Sequence, residues 1–276
     1  MKGSAQSNSR LWRDGATREV FFALGLAAVG RDEAAVAGPV LVAVLSDLGL
    51  SESAARAAIL RLRRHGWLSS TRHGRHTYYA PTATIRARQQ RIQDHFTMAS
   101  PPWDGAFHGL IYEVPERHRA YRDRLRRCAR LLGYASLRGG LLIAPNDGFV
   151  ELQRLLSEPP SEAHLLPARI ELAPVDARRL AQRLWALDAL AADYRARVVA
   201  VRDAINDAAG DPPAGPQALR AFAAATQPIY EAISQDPLLP SELLPDDWPG
   251  AELGAALQAA LQTLGPAAVA YVHTLP

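Results

Sequence analysis

The spacing of apolar and polar positions predicts three short helices near the start of the folded chain. Residues 17–29 are mostly apolar, and a second apolar run begins at Pro39 and ends at Gly49. Proline is tolerated in the first turn of a helix, and glycine is favoured just after the last turn. A third helix is expected over 51–65, with Ser51 as its N-terminal cap. Two helices joined by a short turn have the spacing of a helix-turn-helix.

The third predicted helix has two chemically different faces. At about 100° per residue, one face carries the apolar residues that would pack on the first two helices: Ala55, Ala58, Ile59 and Leu62. The other face carries small residues and arginines, which allow close approach to a DNA major groove and reach phosphates or guanine edges. Its members are Ser53, Arg56, Ala57, Leu60, Arg61 and Arg64. A solvated helix face is the alternative interpretation.

A basic hairpin is predicted directly after this helix. Residues 67–72 and 75–80 are rich in Thr and aromatic residues, which favour strands, and His73-Gly74 is expected to form the turn. The basic side chains at its tip are Arg72, His73, Arg75 and His76. A basic helix followed by a basic hairpin is typical of a winged helix-turn-helix, which binds DNA.

The middle of the chain alternates strand and helix patterns. Strands are expected at 103–114, 141–144 and 169–172, with helices at 116–132 and 148–156 between them. This order indicates a ferredoxin-like α+β unit. One face of the 116–132 helix carries a row of arginines: Arg119, Arg122, Arg126 and Arg130.

The remainder of the chain is expected to be helical, over 176–209, 217–234 and 251–264. Four prolines within 236–250 exclude a continuous helix there, and the leucines between them indicate a packed loop. The predicted fold class is therefore α+β. The expected parts are a disordered tail (1–16), a winged helix-turn-helix DNA-binding domain (17–81), a linker helix (82–99), a ferredoxin-like dimerisation or sensing domain (100–175) and a C-terminal helical domain (176–276).

Composition and charge narrow the function. The 276 residues are enough for two or three domains, and no apolar run is long enough to span a membrane. The single cysteine, Cys128, excludes an intrachain disulfide and fits a reducing cytoplasm. Residues 1–98 carry 14 Lys and Arg against 7 Asp and Glu, whereas residues 99–276 have a net charge of −4. A basic N-terminal part is the pattern expected of a surface that binds a polyanion.

Catalytic patterns are absent from the sequence. It contains no GxSxG, Walker A, GxGxxG, HExxH or CxxC motif. Cys128 falls on the apolar face of its predicted helix, where a small buried residue is expected. We therefore predict no catalytic residues, no metal and no bound cofactor.

The stretch 55–79 resembles the PaaX family of transcriptional repressors, best known for the control of phenylacetate breakdown. The matching residues are Arg56, Ala58, Arg61, Leu62, Gly66, Trp67, Leu68, Arg72, Gly74, Arg75 and Tyr79. His76 stands where a second arginine is common, which weakens the expected charge of the wing at neutral pH. The resemblance continues through PPWDG at 101–105, GGLLIAPND at 139–147 and the proline-rich segment.

This resemblance implies further properties. The family's central domain is similar to a small CRISPR-associated nuclease that has an aspartate at the end of its first strand. This chain has Glu113 there, so we expect a dimerisation or sensing module rather than a nuclease. PaaX relatives respond to aryl-coenzyme A thioesters, chiefly phenylacetyl-CoA. The candidate residues for such an effector are Arg119, Arg122, Arg126 and Arg130, as phosphate contacts, and Trp103. A solvated or dimer-facing stripe is the alternative for the arginines.

Together these observations predict a cytoplasmic, homodimeric DNA-binding repressor. It would bind an inverted-repeat operator in double-stranded DNA and be released by an aryl-CoA thioester. Two alternatives stay open. One is a general DNA-binding protein without an effector, and the other is a metal-dependent nuclease that acts through the central domain.

Overall fold

The first described helices of the chain form a small bundle. In this computed structural model, which describes residues 15–30, 35–83, 85–86, 89, 102–156 and 158–275, they are α1 (Gly15–Ala28), α2 (Gly38–Asp47) and α3 (Glu52–Arg64). As predicted, α3 buries Ala55, Ala58, Ile59 and Leu62. Most of the predicted tail (1–16) and of the predicted linker helix (82–99) lies outside the described residues.

Local sequence explains how α2 leads into α3. Gly49, in the intervening turn, has a φ of +101°, a conformation that glycine adopts without a steric penalty. The hydroxyl of Ser51 then accepts a hydrogen bond from the amide of Ala54 at 3.2 Å. This confirms the predicted N-terminal cap, which contributes about 1 kcal/mol of helix stability.

A β-hairpin follows α3. Its strands are β2 (Leu68–His73) and β3 (His76–Pro81), and β1 (Val36–Ala37) pairs with the other edge of β3. The turn is Gly74-Arg75 rather than the predicted His73-Gly74, since the last pair of the ladder joins His73 to His76. Gly74 has a φ of +59°, and glycine is favoured at the first position of a two-residue turn because it tolerates positive φ.

The base of the hairpin is anchored in the bundle. The ring of Trp67 lies 6.3 Å from that of Phe21, and Leu68 is buried beside it. A Cβ added to Gly38 would lie 3.2 Å from the ring of Tyr79, so the start of α2 packs tightly against β3. Residues 69–76 are exposed. The tip therefore projects into solvent.

A four-stranded antiparallel sheet occupies the middle of the described chain. Its elements, in chain order, are β4 (Ala106–Glu113), a 3-10 turn (Glu116–His118), α4 (Arg119–Leu131), β5 (Ala135–Arg138), β6 (Leu141–Ala144), α5 (Phe149–Leu155) and β7 (His164–Glu171). The strands lie in the order β5-β6-β4-β7. With two small antiparallel sheets and many helices in the described residues, the fold class is α+β, as predicted.

Two strands of this sheet were predicted incompletely. β5 was not predicted at all, because it has only four residues and a half-exposed burial pattern. β7 begins at His164, five residues before the predicted strand at 169. It is an edge strand with largely exposed side chains, and Pro167 is tolerated there because an edge strand can leave one amide position unpaired.

The C-terminal part of the chain is helical. Its helices are α6 (Pro174–Leu184), α7 (Leu187–Gly210), α8 (Pro216–Gln235), α9 (Gly250–Thr263) and α10 (Gly265–His273). The helix predicted over 176–209 is interrupted at Ala186, which has a φ of +48°. α10 was not predicted. It starts with a Gly-Pro pair after a break at Leu264, and such a proline begins a new helix without losing a hydrogen bond.

The described residues fall into two compact units. The first contains those within Met98–Ala191 and Asp236–Trp248, and the second those within Arg10–Thr97, Ala192–Gln235 and Pro249–Pro276. The second unit therefore joins α1–α3 and the hairpin to α8, α9 and α10. The predicted boundaries assign these segments to different domains.

No single helix among the described residues is long and apolar enough to cross a membrane. α9 and α10 meet the length and composition requirements only as a pair, which is bent by 48°. Leu253 of α9 and Val272 of α10 are fully buried in the second unit.

Candidate nucleic-acid interface

The outer face of α3 is accessible along its whole length. Its exposed residues are Ser53, Arg56, Ala57, Leu60 and Arg64. Leu60 keeps 42% of its surface exposed, which is unusual for leucine. Arg61 differs from the rest, since it is only partly exposed. Burial of the His65 imidazole lowers its pKa, and the positive charge of the neighbouring Arg61 lowers it further. Arg61 therefore lies at the margin of this face rather than at its centre.

Arg56 is held loosely within the face. Its guanidinium lies 3.3 Å from the carboxylate of Glu52, one turn earlier, with side-chain exposures of 68% and 71%. An ion pair so exposed contributes little in water. Arg56 can therefore exchange this carboxylate for a phosphate oxygen or a guanine edge at small cost.

A cleft of about 790 Å³ opens between α2, α3, β3 and the end of α10. Arg56, Leu60 and Arg63 line it from α3, and Arg75 and His76 line it from the hairpin. Arg63 was not among the predicted site residues. It follows Arg56 by seven positions, two turns along the same face, and that spacing is the signal that could have identified it.

The hairpin tip completes this surface. Arg72, His73, Arg75 and His76 are all exposed, and the rings of His73 and Tyr78 meet edge-on at 5.6 Å. Arg75 and His76 face the cleft. Permanently charged guanidinium groups around a concave surface create a field that attracts polyanions, and arginine binds phosphate through paired N–H donors. The helix and the hairpin thus form one basic surface.

The predicted effector residues on α4 are mostly engaged with neighbouring side chains. Arg122 donates a hydrogen bond of 2.8 Å to Glu116, and this bond lowers the pKa of that carboxyl. Arg126 donates to the hydroxyl of Tyr112 at 2.7 Å and lies over its ring. Arg119 lies 3.8 Å from Asp123. Arg130 is exposed.

Trp103 does not join this arginine row. Its indole N–H donates to the carbonyl of Ala106 at 2.9 Å, and its ring packs 5.3 Å from Phe107. Phe107 belongs to the core on one face of the sheet, whereas Tyr112, beneath α4, belongs to the core on the other. The structure therefore does not bring Trp103 and the α4 arginines together into one pocket.

The side chains that a metal-dependent nuclease would need do not cluster in the part of the chain that the structure describes. Glu113 is exposed at the end of β4, opposite His164 on β7. Among the described residues, no three His, Cys, Asp or Glu side chains converge as a metal site would require. Burial raises the pKa of the Cys128 thiol, which disfavours its reactive thiolate.

Three family models match consecutive parts of the chain. Residues 16–85 match the PaaX-like protein model, residues 100–178 the PaaX protein central Cas2-like domain, and residues 185–274 the PaaX-like protein C-terminal domain. The chain belongs to the PaaX family. The first match contains α3 and the hairpin, so the basic surface lies within a segment that the chain shares with its family.

Two known proteins are similar to this chain over most of its length. The Transcriptional repressor PaaX of Escherichia coli (strain K12) is 28% identical over 243 residues, which are 84% of this chain and 75% of that protein. An uncharacterized protein from Mycobacterium tuberculosis has a solved structure that is similar with a TM-score of 0.50 and 25% identity. The match covers 92% of this chain and 97% of the other.

Because Arg63 lines the cleft, we expect it to contact a DNA phosphate. Arg63→Ala should weaken binding to duplex DNA of any sequence and lower the slope of log affinity against log salt by about one, because one phosphate contact is lost. Fluorescence anisotropy over a salt series measures both quantities. Arg202→Ala, at an exposed arginine of α7, is the matched control and should change neither. An Arg63→Ala protein with the wild-type slope would contradict the assignment.

Proposed function

We propose that this protein is a DNA-binding transcriptional repressor of the cytoplasm, and that α1–α3 with the β1–β3 sheet form a winged helix-turn-helix. The observation that carries the proposal is the convergence of Arg56 and Arg63 of α3 with Arg75 of the hairpin around one cleft. In this arrangement α3 enters the major groove, and the exposed hairpin tip contacts the flanking phosphates. The naming of a PaaX relative as a transcriptional repressor supports the same function.

The exposed side chains of α3 suit base recognition. Arg56 and Arg64 are long enough to reach guanine edges, while Ser53 and Ala57 are small enough to let the helix approach the groove floor. Leu60 is placed to contact the methyl group of thymine. Arg61, which is partly buried, is better placed for a phosphate beside the groove than for a base.

We propose that two copies bind an inverted repeat as a homodimer. In the first unit, β-α-β-β-α-β chain order and β5-β6-β4-β7 strand order support a ferredoxin-like arrangement for the central domain. Such a domain can join two copies of the chain, each with its own α3 and hairpin. A dimer with a two-fold axis then requires a palindromic operator.

We propose an aryl-CoA thioester as the effector, as the family resemblance implies. The ligand can release DNA only if it binds more tightly to a conformation with low DNA affinity. Arg130 and Arg119 are the α4 residues best able to contact its phosphates. Arg130 is exposed, and the ion pair of Arg119 with Asp123 is long, at 3.8 Å, with the arginine side chain 71% exposed. Arg122 and Arg126, in contrast, form short hydrogen bonds with Glu116 and Tyr112.

Selection of bound sequences from random DNA tests the proposed function. The expected result is an inverted repeat whose half-sites are separated by a whole number of helical turns, about 10 base pairs each. Arg56→Ala should lower affinity for the selected sequence about tenfold or more. Enrichment of no sequence would instead favour a general DNA-binding protein without an effector.

Thermal unfolding tests the proposed effector. Phenylacetyl-CoA at about a hundred times its dissociation constant should stabilise the protein by about 2.7 kcal/mol and weaken its binding to the selected DNA. Free coenzyme A, which lacks the aryl group, is the ligand control. Arg119→Gln combined with Arg130→Gln should reduce the stabilisation. A thioester that neither raises the melting temperature nor releases DNA would exclude this effector.

A further inference from the structure

The last residue of α2 is an aspartate, which local helix energetics do not favour. α2 ends at Asp47, where the partial negative charge of the helix C-terminus disfavours another negative charge. The side chain of Asp47 is only partly exposed, so solvation by water does not fully offset this unfavourable interaction. A carboxylate at this position therefore needs a partner from elsewhere in the fold.

The C-terminal helices supply two such partners. The hydroxyl of Tyr271 on α10 donates a hydrogen bond of 2.6 Å to Oδ2 of Asp47. Nε of Arg220 on α8 donates a hydrogen bond of 2.6 Å to the backbone carbonyl of the same residue. Arg220 thus caps a helix C-terminus with a positive charge, as the helix dipole favours. Both the side chain and the backbone of Asp47 are bound by helices far along the chain.

These hydrogen bonds belong to a wider contact within the second compact unit. The rings of Phe22 on α1 and Phe222 on α8 lie 5.6 Å apart. Arg18 forms an ion pair with Glu231, and the imidazole of His273 lies 3.2 Å from the carbonyl of Val29. The C-terminal helices therefore pack against both α1 and α2, and Asp47 lies at the edge of that contact nearest to α3.

Asp47 is also directly connected to the start of α3. The turn that follows is held by hydrogen bonds from the amides of Leu48, Gly49 and Leu50 back to α2, and Ser51 then caps α3. Tyr271 lines the same cleft as Arg56 and Arg63. A shift of α10 or α8 would thus move the end of α2 and, through a four-residue turn, the beginning of α3.

We propose that Tyr271 and Arg220 are positioning residues for DNA binding: by holding Asp47 they set the orientation of α3 without touching DNA. This inference rests on the proposed function of α3. Through this role, a movement of the C-terminal helices would be transmitted to α3 by way of Asp47 and the α2–α3 turn. A change in their packing would alter operator affinity by re-orienting α3.

A double-mutant cycle on operator binding tests this role. Tyr271→Phe and Asp47→Ala should each lower affinity for the selected DNA about fivefold to tenfold. The double variant should lose no more than either single one, because both changes remove the same hydrogen bond. The salt slope of Tyr271→Phe should stay at the wild-type value, because this substitution changes no charge. Tyr230→Phe, at an exposed tyrosine of α8, is the control and should bind as the wild type does.

Arg220→Gln provides an independent variant, because its exposed side chain can be changed with little effect on the core. It should lower operator affinity, whereas Arg202→Gln on α7 should not. Circular dichroism melting confirms that each variant is folded at the binding temperature. Wild-type affinity in Tyr271→Phe and Arg220→Gln would overturn the positioning role alone. A salt slope reduced by about one in Arg220→Gln would also overturn it, because it indicates that Arg220 contacts a phosphate directly. Additive losses in the Tyr271→Phe and Asp47→Ala double variant would overturn it for Tyr271, because they indicate a contact of Tyr271 that does not run through Asp47. Absence of operator binding by the wild-type protein would instead overturn the proposed function.

Discussion

Burial of one narrow face of α3 is the constraint on which the proposed DNA-binding surface depends. Leu62 is fully buried and Ile59 keeps only 4% of its surface exposed, and burial of each such side chain is worth about 1.5–3 kcal/mol. An α-helix has about 3.6 residues per turn, so fixing these positions inward turns Arg56, Leu60 and Arg63 outward. The small alanines on the buried face let α3 lie close to α1 and α2. The packing of α3 therefore determines which of its arginines are exposed and can contact a ligand.

The second compact unit holds α3 at both of its ends. At the start of α3, Ser51 caps the first turn, and Asp47 just before it is bound by Tyr271 and Arg220. Beyond its end, Trp67 packs on Phe21 and fixes the base of the hairpin. A helix held in this way presents its side chains in a constant geometry, which sequence-specific recognition requires.

Local signals predicted α3 to within one residue, because Ser51 marks its start and its apolar period is regular. The hairpin turn was misplaced by one residue, since a glycine can occupy either turn position and only the pairing of His73 with His76 shows that Gly74 comes first. Arg63 was missed although it follows Arg56 at a helical repeat. The packing of the C-terminal helices on the bundle could not be predicted from sequence patterns. Arg220 and Asp47 lie 173 residues apart, and the residues around each of them do not indicate that they are in contact. Strand β5 and the first five residues of β7 were not predicted, because their largely exposed side chains give no clear apolar pattern.

Affinity cleavage from the outer face of α3 tests whether this helix lies in the major groove of the operator. An iron chelate attached at Ala57→Cys, in a Cys128→Ser background, generates hydroxyl radicals at an exposed position of that face. If α3 lies in the major groove, strand cleavage should fall inside each half-site of the bound operator, with matched patterns in the two halves. The same chelate at Arg202→Cys on α7 should cut elsewhere or not at all. Cleavage from position 57 that lies outside the protected half-sites, or is no stronger than from position 202, would show that α3 does not lie in the major groove.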